Sequence, residues 1–205
     1  LLLISILVNY ALSFFVKKKN RIAFFLAIFL NLLILGIFKY LGMFMDFFEY
    51  VSKKDTIKID LILPLGISFF TFQQIAFQID NFNSKVKTTK LSEYFFFITF
   101  FPQIIAGPIV HHKEIFSQIK KKVKLSENFL IGISIFSIGL FKKVIIADYV
   151  AVSSDAYYGA IASGYYPSLL ESLIGTLSFT IQIYFDFSAY SDMAMGLAYI
   201  FGFKL

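Results

Sequence analysis

The sequence predicts an all-α protein: a multi-pass transmembrane helical bundle with one re-entrant, broken helix. Three observations predict it. The first is composition: 58% of the 205 residues are hydrophobic and 16% are charged, with a mean hydropathy of +0.75. Soluble domains carry roughly 45–50% apolar and about 25% charged residues. The second is patterning, because the apolar residues form long runs separated by short basic loops. At about 20 residues per crossing, the chain has room for several spans. The third is a single apolar segment broken by proline and glycine between two lysine-rich loops, which one straight crossing does not accommodate. No stretch is polar enough for a separate soluble domain, so residues 1–205 read as one membrane-embedded domain. Leu1 opens inside an apolar run and FGFKL follows the last helix directly, so both ends read as cut from a longer protein.

The elements follow in order. Leu1 to Val16 is an apolar run, and KKKNR (17 to 21) after it is strongly basic. By the positive-inside bias that loop is cytoplasmic. Ile22 to about Tyr50 reads as one long helix of about 43 Å, more than the hydrocarbon core needs. Lys39 lies toward its outer end, where its charge can snorkel. The mixed-charge residues 52 to 60 fit an outer loop. Leu61 to Ile79, opened by Pro64 and Gly66, carries Thr71, Gln73 and Gln74 mid-way, and adjacent glutamines there predict interhelix hydrogen bonds. Loop 81 to 90 (Lys85, Lys87, Lys90) and loop 111 to 124 (Lys113, Lys120, Lys121, Lys122, Lys124) are both basic, yet only Leu91 to Val110 separates them. Within it, Pro102, Gln103, Gly107 and Pro108 mark the predicted re-entrant turn, which is tolerated at membrane depth only beside protein or water. Asn128 to Phe141 reads as a helix ending at Lys142 and Lys143. Residues 148 to 167 read as an outer interfacial loop with tyrosine anchors, and Ser168 to Tyr184 descends again.

Net charge is +6, but the basic residues sit in interhelical loops where they set topology, so nucleic acid is excluded as a partner and the lipid bilayer is the expected one. There is no cysteine, hence no disulfide or thiolate chemistry. No phosphate loop, dinucleotide fingerprint, zinc spacing or nucleophile elbow is present, and no metal site is expected. His111 and His112 are the only histidines. Neighbours on a helix point about 100° apart, and no adjacent acidic residues support them, so they read as interfacial. Gly132, Gly139 and Gly196 read as close-approach positions between helices.

The residues that stand out are QIYFDFSAYSDMAMG, 182 to 196. Two acids, two serines, two tyrosines and a glutamine lie inside an apolar helix, where ionisable groups cost several kcal/mol unless paired or watered. Gln182 with Asp186, Asp186 with Tyr190, and Ser188 with Asp192 each stand one turn apart. Asp186 and Asp192 lie about 120° apart around the helix and form no carboxylate dyad. Gln182, Asp186, Ser188, Tyr190, Ser191 and Asp192 are therefore the candidates for a chamber wall or substrate path. The alternative is a hydrogen-bonded helix contact without chemistry.

Five stretches in order along the chain together resemble the membrane-bound O-acyltransferase family, in its bacterial alginate- and peptidoglycan-acetylating branch. They are FKYLGMF (38 to 44), LPLGISFFTFQQIAFQID (63 to 80), FFPQIIAGPI (100 to 109), GLFKKVIIAD (139 to 148) and QIYFDFSAYSDMAMGLAYIFGF (182 to 203). Ala189 stands where the family usually has glycine. The resemblance implies an enzyme in the bacterial inner membrane that carries acetyl groups to hydroxyls of a cell-wall or extracellular polysaccharide. It implies an acyl donor such as acetyl-CoA, no resident cofactor, and a periplasmic or extracellular acetyltransferase partner. The family's catalytic histidine lies in a Trp-His-Gly stretch that residues 1–205 do not contain. No catalytic residue is assigned here, and these residues alone are expected to be inactive. Two other readings stay open: D-alanyl transfer to teichoic acid by a related branch, and a secondary transporter, which also has broken helices and mid-membrane acids.

Overall fold

The computed structural model describes residues 1–53, 61–86, 89–104, 112–119 and 125–204, with side chains of the last block from 128 onward. The described residues are helical with short connections and fall into two compact units, one within residues 1–120 and the other within 121–205.

The first unit begins with α1 (Leu2–Lys17) and α2 (Arg21–Leu35), the latter started by the Asn20 side chain accepting from the Ala23 amide at 3.1 Å. A π-helical segment, Gly36–Tyr40, joins α2 to α3 (Leu41–Ser52). The predicted long helix is thus one 32-residue rod, Arg21–Ser52, apolar and long enough to cross a membrane. Lys39 falls inside the π-helical segment and donates to the Ser68 hydroxyl at 3.3 Å. After Pro64 and a left-handed Gly66, α4 runs from Ile67 to Phe82.

α4 is the hub of this unit, and a ladder of polar contacts fixes its register. The Gln74 carbonyl accepts from Ser5 at 2.8 Å and from the Asn9 amide at 2.6 Å. Gln78 donates to the Asn9 backbone carbonyl at 2.7 Å, and Asn81 donates to that of Ser13 at 2.7 Å. Partners on α1 and α4 therefore advance together, so these helices are parallel. Asn31 of α2 closes the ladder by donating to Asn9 at 2.7 Å. Ser5, Asn9, Asn31, Gln74 and Gln78 are all buried. The expectation of interhelix bonds holds for Gln74. Such bonds contribute about 0.6 kcal/mol each in a bilayer, so their main effect is on register.

α5 (Leu91–Thr99) ends at an extended Phe100, and a single turn, α6 (Phe101–Ile104), follows. The helix breaks two residues before Pro102, and the proline occupies the first turn of the next helix, where its missing N–H costs nothing. Gly107 and Pro108 lie outside the described residues. A Cβ built on Gly66 would collide with the Ile104 carbonyl, so α6 sits against the start of α4. α7 (His112–Ile119) returns to the other end of α4, where His112 pairs with Asp80.

In the second unit α8 (Leu125–Phe141) does not stop at the two lysines. It passes through a π-helical segment, Lys142–Ala147, into α9 (Asp148–Ala162). This corrects the predicted interfacial loop at 148–167: only residues 163–168 connect, and Asn128–Ala162 is a second helix long and apolar enough to span. The helix continues because the lysine charges are neutralised from a neighbouring helix. α10 (Leu169–Ile200) starts in a capping box, in which the Ser168 amide donates to Glu171 at 2.7 Å. It runs antiparallel to α8 and α9, with Gly196 against Gly132, Ala189 against Gly139, and Phe179 against Tyr158.

Candidate functional site

The polar stretch of α10 faces the π-helical segment. Lys142 donates to Asp192 at 2.6 Å and to the Ser188 hydroxyl at 3.0 Å. Lys143 reaches Asp186 at 2.5 Å and Asp148 at 2.7 Å. Helical geometry explains how both lysines are used. At about 100° per residue, Asp186 and Asp192 lie roughly 60° to either side of Ala189, which faces α8. The two ammoniums therefore grip α10 on opposite flanks of the close contact. The Lys143–Asp148 pair is spaced five residues apart, the spacing that a π-helical turn brings into register.

The other candidates fill in around this grip. The Lys143 ammonium stands 5.9 Å from the Tyr190 ring centre. Gln182, on the Asp186–Tyr190 stripe, holds a buried side-chain oxygen without a partner among the described residues. Ser191 is partly buried and joins none of these bonds. The contacts expected along α10 itself (Gln182–Asp186, Asp186–Tyr190, Ser188–Asp192) give way to contacts across helices. Ammoniums are stronger partners for carboxylates than neutral neighbours one turn away. Lys142 and Lys143 are thus site residues that the sequence reading assigned to a helix end. The available signal was charge complementarity: two lysines and two aspartates within apolar helices, 43 to 50 residues apart.

A second polar cluster lies in the first unit. The His112 Nδ1 and Asp80 are 3.5 Å apart, and Lys85 stands 3.6 Å from the same carboxylate. His112 is buried among Phe77, Phe97 and Phe116. The expectation that no acid supports it is corrected here: the supporting acid is Asp80, thirty-two residues earlier in the chain, where local sequence cannot reveal it. His111 lies outside the described residues. Of the re-entrant candidates, Pro102 and Gln103 are buried in α6. Among the described residues no three His, Asp or Glu side chains come together as a metal site would require.

Chemically, the α10 grip holds two carboxylates at fixed positions against two ammoniums and places an amide and a phenol beside them. Such an array can orient a polar substrate and hold a field over it. Among the described residues it contains no histidine.

Several curated proteins match the chain. The chain is 38% identical over its whole length to the peptidoglycan O-acetyltransferase of Helicobacter pylori, covering 45% of that protein. It is 34% identical to the probable alginate O-acetylase AlgI of Pseudomonas aeruginosa, over 87% of this chain and 35% of that one. A more distant match is the teichoic acid D-alanyltransferase of Bacillus subtilis, 28% identical over 71% of this chain. The chain spans less than half the length of these curated relatives. No family model matches it. With the five motifs in order and the identity extending from end to end, the chain belongs to the membrane-bound O-acyltransferase family, in the branch of the peptidoglycan and alginate O-acetyltransferases.

Proposed function

We propose that the protein is a multi-pass inner-membrane O-acetyltransferase that moves acetyl groups from a cytoplasmic donor such as acetyl-CoA across the membrane to an acceptor outside it, for O-acetylation of a cell-wall or extracellular polysaccharide. The observation that carries this reading is the Lys142–Asp192 and Lys143–Asp186 grip on the polar stretch of α10. Charges in apolar helices are retained where they line a pathway. In this reading Asp186 and Asp192 set the local field, Gln182 and Tyr190 face the substrate path, and Ser188 and Ser191 border it. A general base removes the acceptor hydroxyl proton as that oxygen attacks the donor's acetyl carbon, polar groups of the wall stabilise the tetrahedral oxyanion, and the donor's thiolate departs as the new ester forms. A periplasmic or extracellular acetyltransferase partner completes transfer to the polymer.

Deleting the gene and measuring wall-polymer esters tests the reading. O-acetyl esters should be lost and D-alanyl esters kept. Loss of D-alanyl esters with acetylation intact would transfer the assignment to the D-alanyl branch, and no change in either would sink both.

The re-entrant reading of residues 91–110 belongs to the same proposal. It is supported by the contacts at the two ends of α4, about 21 Å apart. Lys85 and His112, from before and after the segment, both reach Asp80, whereas Ile104 lies at Gly66. Single cysteines placed at Lys85 and at Lys113 should both react with an impermeant thiol reagent from the cytoplasmic side. Reaction from opposite sides would refute the hairpin.

A further inference from the structure

A cavity of about 260 Å³ opens between the end of α9 and the start of α10, and Ser153, Ala156, Tyr157, Tyr165, Glu171 and Gly175 border it. None of them takes part in the lysine–aspartate grip. Gly175 brings α10 close at one wall, because a Cβ there would stand 2.2 Å from the Tyr157 ring. At the mouth, the Tyr165 hydroxyl donates to Glu171 at 3.2 Å. The Ser168 amide and hydroxyl donate to the same carboxylate at 2.7 and 2.8 Å. The carboxylate is thereby fixed in place, yet no ammonium or guanidinium among the described residues pairs with it. Lys142 and Lys143 are held by Asp192 and Asp186 instead.

The surroundings of the cavity are those of a membrane interface. The 35-residue rod Asn128–Ala162 is about 52 Å long, roughly 20 Å more than a hydrocarbon core. Its excess falls at the α9 end, where Asp155 interrupts the apolar run and Tyr149, Tyr157, Tyr158, Tyr165 and Tyr166 accumulate as an aromatic belt. Leu169, Leu170 and Leu173, at the start of α10, are exposed. Apolar surface and water therefore meet beside the mouth.

We propose that this cavity seats the primary ammonium of a zwitterionic lipid head group, that of an ethanolamine phospholipid. Glu171 supplies the counter-charge, and the hydroxyl oxygens of Ser153 and Tyr165 can accept from the remaining N–H groups. The tyrosine rings add the π-systems that attract a cation. Drug-sized ligands occupy pockets of roughly 300–1,000 Å³, so this smaller cavity suits the ethanolamine end alone, with the tails left in the bilayer. An anionic head group would meet the Glu171 carboxylate with nothing to offset it. This seat depends on the membrane-spanning reading of Asn128–Ala162 and is independent of the acetyl chemistry.

Dihexanoyl phosphatidylethanolamine, added to detergent-purified full-length protein, is the probe, with dihexanoyl phosphatidylglycerol as control and bound lipid counted by native mass spectrometry. The ethanolamine lipid should bind more tightly than the glycerol lipid. Glu171→Gln removes the charge but keeps the cap, since glutamine serves at that position of a capping box, and should weaken binding about fivefold. Ala156→Leu, at an exposed position of α9, fills the cavity and should abolish binding with Glu171 intact. Equal binding of the two lipids, or unchanged binding to Glu171→Gln, would overturn ammonium recognition. Unchanged binding to Ala156→Leu would place the lipid elsewhere and overturn the site. Binding of Nα-acetyl-lysine methylamide without binding of the lipid would give the seat to a lysine of a partner protein and overturn the lipid assignment. If Glu171→Gln fails to accumulate, Ala156→Leu and the two lipids decide.

Discussion

Asp186→Asn in the full-length protein should lower polysaccharide acetylation at least about tenfold, roughly 1.4 kcal/mol of barrier, at unchanged membrane abundance. The substitution keeps the shape of the side chain and removes its charge. Lys143 retains Asp148 at 2.7 Å, so no ammonium is left without a carboxylate, and the helix contact beside it is untouched. What changes is the field over the stripe that carries Gln182 and Tyr190. O-acetyl esters and protein abundance are measured side by side. Normal acetylation would rule out a functional charge. Parallel loss of protein and activity would make the grip a purely structural clasp, as buried polar networks often are. Asp186→Glu, which restores the charge at a longer reach, should recover part of the activity if the field matters and none if the fit alone does.

The same grip shows where the sequence was sufficient and where it was not. The polar run of α10 was visible because seven polar side chains interrupt an otherwise apolar helix, and that contrast needs no structure to detect. Its partners were hidden because Lys142 and Lys143 follow an apolar run, the pattern with which a membrane helix normally ends. Only the approach of α10 shows that the helix continues through them. Asp80 and His112 were hidden for a related reason: they stand thirty-two residues apart, and the acid near His112 in sequence, Glu114, lies two residues on, where a helix does not turn it toward the imidazole. The first-unit hub was partly legible, since the adjacent glutamines announced interhelix bonds. Their partners Ser5, Asn9 and Asn31 stand as isolated polar residues in apolar runs, a pattern that carries no pairing signal by itself. The broken segment was legible in its prolines and its flanking charge, but its first break falls at Phe100. Pairing across helices is a property of the fold, and periodicity within one helix does not carry it.

Gly196→Ala should be strongly damaging to the second unit. A Cβ at Gly196 would stand 2.6 Å from the Phe136 amide nitrogen and 2.7 Å from the Gly132 carbonyl oxygen, and both obstacles are backbone. The reciprocal position is equally tight, with a Cβ at Gly132 standing 2.6 Å from the Gly196 carbonyl oxygen. No rotamer change can relieve such contacts, so α8 and α10 would have to separate. Separation would draw Lys142 and Lys143 away from Asp192 and Asp186, and the loss would compound. Overpacking of this kind costs about 3 kcal/mol, well above the gain of up to about 1 kcal/mol that alanine brings over glycine in a helix. Gly36→Ala provides the control, because nothing lies within 4 Å of a Cβ there and its backbone is right-handed helical. In detergent-solubilised protein, Gly196→Ala should lower the melting temperature by several degrees while Gly36→Ala leaves it unchanged or slightly raised. Equal melting of the two variants would show that the close approach of α8 and α10 does not hold this unit together. In that case the two lysines would carry the contact unaided.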